Sequence, residues 1–215
     1  MKLFKIILVL FIICILGLLI LNKIQLKKCK KMFELKKAEN NRLYKVSEEI
    51  EDAVIKSQMA SMIHLGKKLS FENLKKFYPE KEYKEDIPKK PKLVLIFSEL
   101  GCNVCQDDET KFAVDFNERC NENFVYAVVH ANNMRYVRNY IRLNRVNFPV
   151  YFCQDDAFFN DNNITNTPMI FIVDDKDRII ASHFPLPGHP EYSEPIHQFC
   201  FFYFEQYSTY NDTKK

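Results

Sequence analysis

Glycine is scarce: four in 215 residues, at Gly17, Gly66, Gly101 and Gly188. Neither G-x-G-x-x-G nor G-x-x-x-x-G-K-[ST] can be written with them, which excludes the loops of Rossmann and P-loop nucleotide sites. Tryptophan is absent, so aromatic packing falls to 19 Phe and 11 Tyr. A surplus of charge is also missing. The 31 Lys and Arg are offset by 28 Asp and Glu, which leaves no electrostatic footprint for nucleic acid. The five histidines form no cluster along the chain. What remains is 47% hydrophobic and 27% charged, enough for one packed domain with appendages and unlike a disordered chain.

Apolar residues are concentrated first at the N-terminus. Ile6 to Leu21 is sixteen residues without a charge, preceded by Lys2 and Lys5 and followed by Asn22 and Lys23. A helix of that length rises about 24 Å. With Leu3, Phe4 and snorkelling lysines it reaches the span of a bilayer core. No small-residue cleavage site comes after it, so the segment reads as an uncleaved anchor and not as a signal peptide. Seven lysines lie between Lys23 and Lys37, and the positive-inside rule alone places the C-terminal bulk of the chain in the cytoplasm.

Residues 23–66 read as a helical stalk, rich in Lys, Glu and Asn. Leu43, Val46, Ile50 and Val54 recur at helical steps and form a narrow apolar stripe, and Ser47 before Glu48 and Glu49 is an alternative helix start. Phe71 to Pro91 is charged and holds Pro79, Pro88 and Pro91, which reads as a linker. The expected organisation is an anchor at 1–22, a stalk and linker at 23–91 and a compact domain at 92–210.

That domain opens with Leu93-Val94-Leu95-Ile96-Phe97, a buried strand by length and β-propensity. Cys102-Asn103-Val104-Cys105 comes next, after a short turn. Phe112, Phe116 and Cys120 then recur at four-residue steps, which predicts a helix. Unsatisfied N–H groups and the macrodipole at a helix start favour a thiolate on the first cysteine. The spacing brings the second sulfur within bonding reach, so Cys102 can attack a disulfide and Cys105 can resolve the mixed disulfide. Further on, Phe124–Val129 reads as a strand and Met134, Val137 and Ile141 as a helix. Phe148–Phe152 is a short apolar segment. Thr167-Pro168 leads into Met169–Val173, and Asp174–Asp177 turns the chain into Arg178-Ile179-Ile180 as a hairpin. Phe199, Cys200 and Tyr203 predict a last amphipathic helix.

LVLIFSELGCNVC, then a helix, then TNTPMIFIVDDKDRII resembles the thioredoxin-like superfamily, and is most similar to membrane-anchored thiol-disulfide oxidoreductases of the TlpA/ResA group. The resemblance covers roughly residues 90–207. It implies a thioredoxin-like α/β sandwich with a central mixed sheet and an added strand–helix unit between Cys105 and Pro168. It also implies a cis Thr167-Pro168 bond facing the cysteine pair, with the backbone before it pairing with substrate. No cofactor is implied, since the cysteine pair carries the electrons. The expected partners are a protein disulfide substrate and an electron donor, on a redox domain held outside the cytoplasm by residues 3–22. Here Leu100-Gly101 stands where the family often has Trp, Asn103-Val104 replaces the usual motif Pro, and Ile96 occupies the place of the buried acid of plain thioredoxins. The family's glutamate near the pair has no assigned counterpart.

Other chemistries fit less well. A zinc site lacks a second C-x-x-C or an H-x₃₋₅-H to complete four ligands. The peroxidase pattern P-x-x-x-T-x-x-C does not match Glu99-Leu100-Gly101-Cys102, and C-x-x-C is one residue short of a copper chaperone's C-x-x-x-C. Cys120, Cys153 and Cys200 read as buried apolar residues, and Cys29 as a stalk thiol. The acids Glu99, Asp107, Asp108 and Glu109 are expected to be solvent-exposed. They surround the pair with negative charge and point to a reductant of protein disulfides. A binding module without turnover and a cytoplasm-facing redox sensor are the alternatives.

Overall fold

The computed structural model describes residues 2–72, 74–78, 87–120 and 123–212, with side chains from residue 22 to residue 209 of these, that of Lys76 excepted. The first element is a single helix, α1 (Lys2–Met62), so Ser47 opens no new one. The apolar run 6–21, on which the anchor expectation rests, lies outside the described side chains. Among the described residues no helix is long and apolar enough to cross a membrane. Residues through Asp52 form one unit, and Ala53–Lys215 a second. In the first unit residues 22–49 are exposed on all sides, Leu43 and Val46 included.

The second unit starts well before Lys92. Within it, Ser57 Oγ donates to the Phe184 carbonyl at 2.6 Å, and Ser61 Oγ accepts from the Phe184 N–H at 3.1 Å. Part of the expected linker is a strand, β1 (Lys75–Tyr78), paired antiparallel with β4 (Val150–Cys153). The remaining elements are β2 (Lys92–Ser98), α2 (Asn103–Arg119), β3 (Val125–His130), α3 (Met134–Leu143), α4 (Ala157–Asp161), β5 (Met169–Val173), β6 (Ile179–His183), a 3-10 turn (Pro190–Ser193) and α5 (Glu194–Asp212).

The six strands lie in the order β1-β4-β3-β2-β5-β6. β2, β3 and β4 are parallel, while β5 runs antiparallel to β2 and continues into β6. The expected central mixed sheet is therefore present, and β4–α4 supplies a strand–helix unit between Cys105 and Pro168. β2 is buried along its whole length because it has neighbours on both edges and layers on both faces. Leu93, Leu95 and Phe97 join one core with Phe116, Val137 and Phe204, and Val94 and Ile96 join a second with Phe158 and Phe171. The alternation comes from the two-residue period of a strand. On α5 the buried stripe is Ile196, Cys200 and Phe204, with Phe199 turned outward, one position away from the expected face.

This topology positions the site. Parallel strands end at one edge of the sheet, so the loops after β2, β3 and β4 collect there, and antiparallel β5 enters from the same edge.

Candidate active site

Cys102 is the N-cap of α2. Its backbone is extended (φ −68°, ψ 104°) and its Sγ accepts a hydrogen bond from the Cys105 N–H at 3.4 Å. A cap residue leaves the strand-to-helix turn before the helix begins, and its side chain folds back onto the open N–H groups. In place of the usual oxygen acceptor this helix has a sulfur. Cys102 is half-exposed and Cys105 is buried, both as free thiols. Burial, then the side-chain hydrogen bond to Cys102, pushes the Cys105 thiol up to about 12. The two cysteines are thus set apart by environment: one is half-exposed with a sulfur that accepts a hydrogen bond, and burial holds the other protonated.

The turn before Cys102 is closely packed. Gly101 N–H donates to the Ser98 carbonyl at 2.9 Å. A Cβ on Gly101 would lie 2.5 Å from Gln106 Nε2 and 2.9 Å from Thr167 Oγ1, so only glycine fits between them. This contact brings Thr167 beside the cysteine turn. The Thr167-Pro168 peptide bond is cis, and Met169 directly after it pairs with Ile96. All four sequence-predicted site residues therefore come to one edge of the sheet. Leu100 (88% exposed) and Val104 flank Cys102 as outward apolar side chains.

Several neighbours carry no signature of their own in the sequence. Gln106 is buried; its Nε2 donates to the Ser98 carbonyl at 2.8 Å and its Oε1 accepts from Tyr136 Oη at 2.9 Å, tying α2 to β2 and α3. Glu109, expected to be exposed with its acidic neighbours, is 2% exposed, and its Oε2 lies 2.7 Å from His197 Nε2 on α5. Helical spacing holds a signal for this: Cys105, Glu109, Ala113 and Phe116 share one buried face of α2. His197 joins Glu109 across 88 residues, a pairing that no local pattern encodes. The other acids keep to the surface side, with Lys111 bound to Asp108 at 3.4 Å and Glu99 to Asn132 at 2.7 Å.

The remaining cysteines divide by burial. Cys153 and Cys200 are fully enclosed, and Cys120 is half-buried at the end of α2. Burial raises the thiol of Cys153 to about 12, with Asp155 and Asp156 adding to it, which removes it as a nucleophile at neutral pH. Cys29 is exposed. Among the described residues no group of His, Cys, Asp and Glu is arranged to hold a metal ion.

Neither a protein-family model nor a curated protein sequence matches the chain. Among solved structures it is similar to StoA from Bacillus subtilis, at 15% identity over 53% of this chain and 84% of that one, with a TM-score of 0.41. It is also similar to a thiol-disulfide isomerase from Corynebacterium glutamicum, at 19% identity over 55% and 86%, TM-score 0.45. A third is the thioredoxin domain of a thiol-disulfide oxidoreductase from Bacteroides vulgatus, at 17% identity over 61% and 96%, TM-score 0.47. Likenesses at this level assign no activity to the chain.

Proposed function

We propose that the chain is a thiol-disulfide oxidoreductase of the thioredoxin-like type. Cys102 is the nucleophile, Cys105 the resolving thiol, and Thr167-Pro168 the loop against which a substrate strand lies. The observation that carries this reading is the asymmetry of the pair: a half-exposed cysteine at a helix N-cap beside a buried, protonated one. Cys102 attacks a substrate disulfide and forms a mixed disulfide, releasing one substrate thiol. Cys105 then gives up its proton and attacks Cys102, so that the second substrate thiol leaves and the pair ends as a disulfide.

The direction proposed is reduction of protein disulfides. Glu99, Asp107, Asp108 and Glu109 lie within two turns of the pair, and Lys111 is spent on Asp108. Negative charge disfavours a thiolate-stabilised reduced state, and such couples are reducing. The membrane proposal rests on the uncharged run from Ile6 to Leu21 with lysines on both sides. The lysine distribution alone favours a cytoplasmic redox domain; against it stands the resemblance to tethered oxidoreductases, which serve compartments where disulfides form, and on that ground the domain is proposed to lie outside the cytoplasm.

Trapping tests the assignment. Cys105→Ser is expected to accumulate mixed disulfides with substrate proteins on non-reducing gels, and Cys102→Ser to give none. Equal trapping by both variants, or by neither, overturns it. Equilibration with a dithiothreitol or glutathione buffer tests direction: the expected potential is nearer about −270 mV than about −120 mV, and a value above roughly −180 mV points to an oxidant.

A further inference from the structure

We propose that Gln106 is the positioning residue of the nucleophile: one buried amide clips the turn that carries Cys102 at both ends and sets it against the Thr167 loop. This rests on the oxidoreductase reading above.

The turn from Ser98 to Cys102 joins β2 to α2. Within it, Gly101 N–H donates to the Ser98 carbonyl at 2.9 Å and Leu100 N–H to Ser98 Oγ at 3.3 Å. Leu100 itself stands in solvent and adds no packing. Gln106 supplies a further hold from a single position. Its backbone N–H donates to the Cys102 carbonyl at 2.9 Å, and its Nε2 donates to the Ser98 carbonyl at 2.8 Å. Both ends of the turn are therefore tied to one residue, and their separation is set by the length of its side chain. The cap bond from the Cys105 N–H to Cys102 Sγ depends on that separation.

The same amide borders the clamp. A Cβ built on Gly101 lies 2.5 Å from Gln106 Nε2 and 2.9 Å from Thr167 Oγ1, so the two side chains meet across a bare glycine backbone. Thr167 precedes the cis bond to Pro168. Gly101 and Gln106 thus fill the gap between nucleophile and clamp, and a substrate strand lying along the Thr167 loop meets Cys102 in one register.

Glutamine suits this place because one neighbour needs a donor and the other an acceptor. The Ser98 carbonyl can only accept, which assigns Nε2 to it and leaves Oε1 for the Tyr136 hydroxyl at 2.9 Å. Burial, then Asp107 and Glu99, raise the Tyr136 phenol, so it stays a protonated donor at neutral pH. Glutamate would set a second acceptor against the Ser98 carbonyl. A residue that only fills space needs no polar group: Gln106 is 1% exposed, and an apolar side chain avoids the cost of burying an amide.

The test compares two probes. Capture is measured with Cys105→Ser as the mixed disulfide formed at Cys102, read by mass spectrometry. Insulin offers a disulfide on a polypeptide strand, and dipyridyl disulfide offers no strand. Gln106→Leu, which keeps the volume and removes both side-chain bonds, is expected to slow capture of saturating insulin on the order of 100-fold, and of dipyridyl disulfide far less. Tyr136→Phe removes one bond and is expected to slow insulin capture on the order of 10-fold. Added to Gln106→Leu, it is expected to cost nothing more. Ser57→Ala removes a buried side-chain bond to the Phe184 carbonyl and is expected to change neither probe. Hydrogen exchange of the Gly101 amide, expected to quicken in Gln106→Leu, reads the hold on the turn without substrate. Insulin capture within about twofold of the Cys105→Ser rate in both Gln106→Leu and Tyr136→Phe overturns the proposal. So does an equal fall with both probes, which marks a merely structural role. If Cys105→Ser itself captures no insulin, the oxidoreductase reading has failed, and an unchanged Gly101 exchange in Gln106→Leu then overturns the clip as well.

Discussion

The two ends of strand β2 treat polar groups in opposite ways. At its start Lys92 is fully buried, yet its ammonium is held by Asp177 at 2.6 Å and lies over the Phe71 ring at 5.2 Å. Nearby Asp174 accepts from the backbone N–H groups of Lys176 and Arg178 and from the Arg178 side chain. Burial works against that carboxylate, but these donors hold it below the ordinary value. At the other end, among the described residues, Cys102 has one weak donor, Leu100 stands in solvent, and the buried Glu109 has a single imidazole for a partner. One end fixes its charges with several partners each. The other holds its titratable groups by few contacts. Stability and reactivity are thereby placed about 20 Å apart on one seven-residue strand.

The largest effect is expected from breaking the saturated end. Asp177→Asn keeps the side-chain shape and tolerates the positive φ of 63° there, but leaves the Lys92 ammonium buried without a counter-charge. The expected loss is about 3–5 kcal/mol in denaturant unfolding. Lys92→Met is expected to lose clearly less, because the Asp177 it leaves behind is partly exposed and can rehydrate. Combining the two should recover part of the Asp177→Asn loss. Equal losses in the two single variants would show that the pair is not anchored from the buried side.

A smaller effect probes the reactive end, where the contact is steric. Gly101→Ala places a methyl group against Gln106 Nε2 and Thr167 Oγ1. Gln106 cannot move freely, since its amide is bonded to Ser98 and Tyr136. The expected cost is about 1–3 kcal/mol, as for other overpacked sites. Adding Gln106→Ala makes room, so the double variant should cost less than the sum of the single changes. Additive costs would mean that Gly101 and Gln106 do not share this contact.

How legible each region is in the sequence depends on the range of its contacts. β2, β3 and β5 can be read because a buried strand needs an unbroken apolar run, and the cysteine turn because its order of strand, motif and helix is local. β1 is hidden inside a charged, proline-bearing stretch: Lys75-Lys76-Phe77-Tyr78 is a strand only because the edge of β4 offers a partner. Lys92, at the head of an apolar run, reads as a boundary residue, and only the β5–β6 turn explains how its charge is buried. Glu109 groups by sequence with Asp107 and Asp108 as a surface acid, although its four-residue step from Cys105 already puts it on the inner face. His197, 88 residues further along the chain, meets Glu109 only because α5 packs beside α2. Chain-local patterns thus reveal the candidate nucleophile, and long-range packing decides which groups are buried around it.

The smallest expected effect comes from a group belonging to neither end. His64 is buried against Phe171, at 5.2 Å between ring centroids, and among the described residues its Nδ1 has no hydrogen-bond partner. Burial, then the charge of Lys67, lowers its pKa below the ordinary value of 6.5. The folded state therefore binds fewer protons here than the unfolded chain does. Stability from this site is full above about pH 6.5 and is lost as pH falls from there through the folded value. His183, lowered mainly by burial, contributes with the same sign. His64→Phe keeps an aromatic ring on Phe171 and removes the titration. Between pH 7.5 and 5.5 the wild type should lose more Tm than the variant. The acid loss that persists in His64→Phe belongs to His183 and should disappear in the double variant with His183→Gln. An unchanged Tm–pH slope in His64→Phe would mean that His64 charges as readily in the folded state as in the unfolded one, and that its orphan Nδ1 finds a proton acceptor when the acid end of the range is reached.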